Sequence, residues 1–179
     1  MGWLSAGPGT VRAMTDWTEI VAAVGEALTG DRTHARQRLL ASWADTGEAD
    51  HAERCVLAHY LADLEDDLDA EVAWDERALA AHRHVRDADL APVGIPAAAG
   101  LAPSLHLNLG DGYLRQGRLP DARAQLDAAT AVVDVLADDG YGAMIRGGLD
   151  GLRRRLAAAS PPAISGTSTS PGSCSSTAG

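Results

Sequence analysis

The chain has 179 residues, a formal net charge of −10 and a pI near 4.9. That length suits one domain with a sizeable core, and the acidic balance excludes a nucleic-acid surface, which needs clustered cations to displace condensed counterions. All 15 basic residues are Arg, Phe is absent and aromatics make up only 4%, so the core must come mainly from Ala, Leu and Val, residues that suit closely packed helices.

Residues 1–13 contain Gly2, Gly7, Pro8 and Gly9 and one Arg, without a continuous apolar stretch, so they do not read as a signal peptide. They are expected to be a disordered or non-native extension, with Met14 as the natural start. At the other end, 16 of residues 160–179 are Ser, Thr, Gly or Pro, a composition expected to be disordered because it offers too little apolar surface to offset ordering entropy. The domain is therefore expected over 14–159. Cys55 and Cys174 lie 119 positions apart, which supports neither a disulfide framework nor a zinc pattern. No apolar run approaches the ~18 residues of a membrane span, and the expected compartment is the reducing cytoplasm.

Between the ends the periodicity is helical. Trp17, Ile20, Val21, Val24 and Leu28 follow a three–four spacing that Gly30 stops, with Thr15 or Asp16 as N-cap. Asp31 caps a second helix carrying Ala35, Leu39, Leu40 and Trp43, which ends near Gly47. Asp50 opens a third through Val56, Leu57, Tyr60, Leu61 and Leu64. The spacing of Ala70, Trp74, Ala78, Ala81 and Val85 predicts a fourth helix from about Leu68 to Leu90. Pro92, Gly94, Pro96 and Gly100 break the chain before a fifth helix, from about Pro103 to Gln116. A sixth carries Ala122, Leu126, Ala129, Val133 and Leu136. A seventh runs from Asp139-Gly140 to about Ala158 despite Gly147, Gly148 and Gly151. No segment has a strand period, and the predicted fold class is all-α.

The helices pair with a repeat. Leu109-Gly110, Tyr113, Gly117, Ala122, Leu126 and Ala129 form one unit, and the whole segment closely resembles a tetratricopeptide repeat (TPR). Weaker copies place Leu57-Ala58, Leu61, Ala70 and Trp74 in residues 50–82, and Val24-Gly25, Leu28, Ala35, Leu39 and Ser42 in residues 17–44. Markers Gly25, Ala58 and Gly110 are spaced 33 and 52, so the last gap holds about 18 extra residues. Arg77 stands where a small residue is wanted. The layout is similar to the small stand-alone TPR-type proteins of bacteria. The resemblance implies antiparallel helix pairs stacked as a short α-solenoid, with the seventh helix as C-terminal cap.

It also implies a function. The first helix of each repeat would line a concave groove, presenting Cys55, His59 and Asp63 from one repeat and Leu107, Asn108, Asp111, Leu114 and Arg115 from the next. The expected function is a protein–protein interaction scaffold or adaptor that binds a peptide or helix there. The lack of Lys argues against the carboxylate clamp used by some TPR proteins, and the acidic and apolar groove suits a basic or mixed partner. The alternative is a self-associating homodimer that uses an exposed repeat end, or Trp43 and Trp74, as its anchor. An unrecognised helical enzyme or metal-binding protein is a third reading: His59 and Asp63 have one-turn ligand spacing, and His106 lies near the same level, but no third ligand is fixed. Nucleotide-binding and hydrolase motifs are absent, and no catalytic residue or cofactor is expected. Eight carboxylates in residues 63–76 read as a solvated turn and helix start, or else as a docking edge for a basic partner.

Overall fold

The computed structural model describes residues 16–159; the expected extension at 1–13, the start at Met14 and the tail at 160–179 lie outside the described residues. Within them the chain is all-helical, with no strand. Seven α-helices follow in order: α1 (Trp17–Thr29), α2 (Arg32–Asp45), α3 (His51–Asp63), α4 (Leu68–His82), α5 (Ala102–Arg115), α6 (Leu119–Ala131) and α7 (Gly140–Ala159). Short 3-10 segments lie at Asp87–Val93, Ala98–Leu101 and Val133–Val135.

Local chemistry sets the starts. The side chains of Asp16, Asp31 and Asp67 accept hydrogen bonds from the backbone N–H groups of Thr18, His34 and Ala70 at 2.8, 2.9 and 2.8 Å. Each satisfies one of the donors that a helix start leaves open. Asp50 precedes α3, but its carboxylate accepts from Gly47 N–H at 2.7 Å. α5 ends at a Gly117 of φ 75°, a left-handed conformation that glycine adopts without a Cβ penalty.

α1 pairs with α2, α3 with α4, and α5 with α6; α2 then packs on α3, α4 on α5, and α7 against both α5 and α6. This is the stacked order of a helical-repeat array. α3 is the shared wall. Seven of its 13 residues are buried. Its Ala52, Val56, Leu57 and Leu61 join Ile20, Ala23, Ala35 and Leu39 in an N-terminal core. Its Cys55 and Ala58 join Val72, Leu105, Leu109, Tyr113, Leu126, Leu149 and Leu152 in a C-terminal one.

The fourth helix is shorter than its periodicity predicts. It stops at His82, and Leu90 belongs to the following 3-10 turn. Two local interactions explain this. Asp89 accepts from the Arg86 backbone N–H at 3.0 Å, and Asp87 accepts from the Ala98 N–H at 2.7 Å, closing the linker on itself. Leu90 then turns back to become fully buried in the N-terminal core, a gain of roughly 1.5–3 kcal/mol over leaving it in water. The sixth helix is likewise cut to Ala131, with Leu136 buried beyond a 3-10 turn. The small residue expected at position 77 is supplied one position later: Ala78 is buried, while Arg77 lies outside, stacked over Trp74 at 4.5 Å.

Candidate functional site

The linker between α4 and α5 holds the residues inserted into the repeat spacing, and it forms one wall of a cavity. The cavity has a volume of about 500 Å³ and is lined from four directions: Val21 and Val24 of α1; Cys55, Val56, His59 and Tyr60 of α3; Val93–Ala97, Gly100, Leu101 and Leu105 of the linker and α5; and 135–137, Asp139 and Tyr141 at the start of α7. The volume falls in the range of about 300–1,000 Å³ typical of ligand pockets. Its mouth is apolar. Of five large hydrophobic residues left exposed among the described residues, Val21 (45%), Val135 (47%) and Tyr141 (43%) all line this cavity.

Two lining residues are chemically distinctive. Cys55 is fully buried, and burial pushes its thiol up to about 12, so it is held as an unreactive thiol at neutral pH. His59 presents Nδ1 to neither solvent nor a partner. Desolvation lowers its pKa, only partly opposed by the charge of Asp63 one turn on; the imidazole is neutral at pH 7.

The eight sequence-predicted groove residues separate into three groups. Cys55 and His59 line the cavity. Asp63 and Asn108 bridge α3 and α5, with Asn108 Nδ2 donating to Asp63 Oδ1 at 3.5 Å. The remaining four belong to packing within the array. A Cβ placed on Gly148 of α7 would fall 2.5 Å from Leu107 Cδ2, so Leu107 fills that notch. Leu114 packs against the C-terminal core. Asp111 is ion-paired with Arg155 of α7 and, at 3.3 Å, with Arg115, which also pairs with Glu71 of α4. α7 thus meets α5 along the stretch that carries Leu107 and Asp111.

The carboxylates of residues 63–76 are largely engaged inside the chain. Glu65 accepts from Arg36 at 2.7 Å and from Trp74 Nε1 at 3.0 Å. Asp69 accepts from Gln116 at 2.6 Å, and Glu76 accepts from the Tyr113 hydroxyl at 2.7 Å. Trp43 and Trp74 face each other, and His106 Nδ1 meets Gln125 of α6 at 2.7 Å. Among the described residues no group of three or more His, Cys, Asp or Glu is placed to hold a metal ion. No single helix among them is long and apolar enough to cross a membrane.

One buried group escaped the sequence reading. Asp75 of α4 is 1% exposed, and neither carboxylate oxygen has a hydrogen-bond partner. Burial first, then the carboxylates of Asp63 and Glu71, push its pKa up to about 8; Arg115 opposes the shift and Asp111 adds to it. At neutral pH it is mostly a protonated acid within a seam of carboxylates. The signal was its spacing, three residues after Val72 and three before Ala78. The cavity walls at 93–97 and 135–141 were also missed. Their one sequence trace was the surplus length between repeats, with Val93 and Ile95 set among Pro and Gly.

A second, polar cavity of about 430 Å³ lies by Trp17, Asp50, Glu53, Arg86 and Asp89, where the rings of His51 and His84 stack at 4.6 Å. No known protein family matches the chain, and no curated protein or solved structure is significantly similar to it.

Proposed function

We propose that this chain is a TPR-like interaction module that takes a peptide segment or helix of a partner protein on the face opened by the α1–α3–linker cavity. The observation carrying this reading is the gathering of Val21, Val135 and Tyr141 around a cavity of about 500 Å³. Exposed apolar side chains scattered singly need no explanation, whereas a cluster rimming a concave site marks a place where another molecule excludes water. Relative to the groove expected from repeat geometry, the binding face moves toward α1 and α3, because α7 and its ion pairs occupy much of the α5 side. Binding rather than catalysis is favoured because Cys55 is held as a thiol and Asp75 is sealed from solvent. The dimer alternative keeps an exposed repeat end as its anchor, while Trp43 and Trp74 pack against one another within the chain.

The test is selection of linear and helical peptides from a displayed random library on the full chain. Clones should be enriched whose affinity falls at least about tenfold in both Val21→Glu and Tyr141→Glu, which bury an unpaired charge on binding. Enriched clones that bind these variants as tightly as the unmodified chain would refute the assignment of this face.

A further inference from the structure

We propose that the junction between α4 and α5 is a proton-controlled joint of the array: with Asp75 protonated, the α5–α7 unit stays seated on α3 and α4, and loss of that proton favours a state in which the unit has moved off them. The inference does not depend on what the α1–α3–linker cavity holds.

The place of the joint follows from how the cores divide. Helices α5, α6 and α7 pack on one another and share Leu109, Leu126, Ile145, Leu149 and Leu152, so the unit has apolar contacts of its own that survive separation. Leu90 and Ala98 of the linker belong instead to the N-terminal core. In a stacked helical array each unit meets only its neighbours, and such chains open at an interface before they unfold as a whole.

Asp75 weakens this interface when it ionises. α4 and α5 run antiparallel: Asp69 meets Gln116, Glu71 meets Arg115, and a Cβ on Gly112 would fall 2.6 Å from Val72 Cγ2. One turn beyond Glu71, Asp75 therefore comes level with Asp111, one turn before Arg115. It is 1% exposed, with neither carboxylate oxygen partnered. An ionised carboxylate so placed loses its hydration with nothing in exchange.

The surrounding charges add to that cost. α4 supplies Glu71, α5 supplies Asp111 and Arg115, and α3 supplies Asp63, which Asn108 of α5 contacts at 3.5 Å. Arg155 of α7 pairs with Asp111, and Arg32 of α2 donates to the Asp63 carbonyl at 2.7 Å. Three carboxylates thus stand with three guanidiniums while Asp75 is protonated, and its ionisation adds a fourth negative charge. α2 meets α4 through Trp43 and Trp74, which carry no charge, and burial keeps His59 of α3 neutral. Once the interface opens, water solvates the carboxylate and its acidity returns to the ordinary range, so each opening below about pH 8 releases a proton. Leu136 and Tyr141 move with the α5–α7 unit and wall the cavity, so the same proton governs whether that cavity is complete.

Cys55 reports on the joint, because it is fully buried on α3 in the core that the α5–α7 unit closes. The full chain carrying Cys174→Ser is treated with excess 4,4′-dithiodipyridine. The modification rate of Cys55, divided by that of an unstructured thiol peptide at the same pH, gives the open fraction. At pH 7.5 this fraction should exceed the globally unfolded fraction, taken from urea titration, by at least about tenfold. Between pH 6.5 and 7.5 it should rise about eightfold more than in the Asp75→Asn chain, as expected for one proton released just below its levelling point. Comparing the two chains cancels any contribution of His59, which both retain, and Asp75→Ser serves as a second comparison. An open fraction equal to the globally unfolded one would overturn the joint. The same rise with pH in the Asp75 variants would overturn the role of its proton.

Discussion

Trp43 of α2 and Trp74 of α4 meet edge to face, with ring centroids 4.9 Å apart and planes at 86°. The pair joins the second helix of one hairpin to the second helix of the next. Arg54 covers Trp43 at 4.1 Å and Arg77 covers Trp74 at 4.5 Å, so a cation shields each ring. Trp43→Ala and Trp74→Ala should each destabilise the chain by about 2–4 kcal/mol, below the upper range for a fully buried Trp. A double-mutant cycle in urea should return a coupling of about 0.5–1.5 kcal/mol. Purely additive losses would remove the pair as a tie between hairpins.

Helix approach gives a second prediction. A Cβ on Gly112 of α5 would lie 2.6 Å from Val72 Cγ2 on α4, whereas one on Gly147 of α7 would meet nothing within 4 Å. Gly112→Ala should cost about 1–3 kcal/mol through overpacking, with part of the loss recovered by Val72→Ala in the double variant. Gly147→Ala should instead stabilise the chain by up to about 1 kcal/mol through helix propensity. Thermal denaturation of the four proteins distinguishes close packing from a general intolerance of substitution.

Asp75 makes stability depend on pH. Its folded-state pKa, about 8, lies above the ordinary 3.8, so between these values the folded chain holds a proton that the unfolded chain has released. Stability must fall as pH rises through this window and level off above about 8. Asp75→Asn removes the linkage. It should be more stabilising at pH 9 than at pH 5, by on the order of a few kcal/mol. Urea unfolding at the two pH values checks this; an equal effect at both would show that Asp75 is not a buried acid.

His59 acts on the acid side. Its pKa is lowered by desolvation, so below about 6.5 the unfolded chain binds a proton that the folded chain resists, and stability falls as pH drops. His59→Phe should flatten stability between pH 7 and 5 relative to the unmodified chain. An unchanged slope would place that loss on other groups.

The sequence carried the secondary structure well because helix period and caps are local. Asp16, Asp31 and Asp67 sit where the apolar spacing begins, and Gly30 and Gly117 where it stops. It misled where a long-range contact outweighed local period: Leu90 continues the α4 spacing, yet it is buried among residues of α1, α2 and α3. The site was legible in part. Cys55 and His59 share a face of α3, which the repeat register alone indicates. What covers that face depends on how a Pro/Gly linker folds back and on the 135–141 segment, and neither has a periodic signal. Asp75 was hidden because charged residues are ordinarily assigned to the solvent side of a helix.

A partner segment held over the α1–α3–linker cavity, as proposed, would perturb the residues that line it. The most direct test is an amide chemical-shift map of the full chain titrated with a library-selected peptide. Shifts should concentrate at Val21, Val24, His59, Ile95 and Tyr141, with little change at Asp111, Arg155 or the His51–His84 stack. Shifts centred on α5 and α7, or on the polar cavity beside His51, would contradict it.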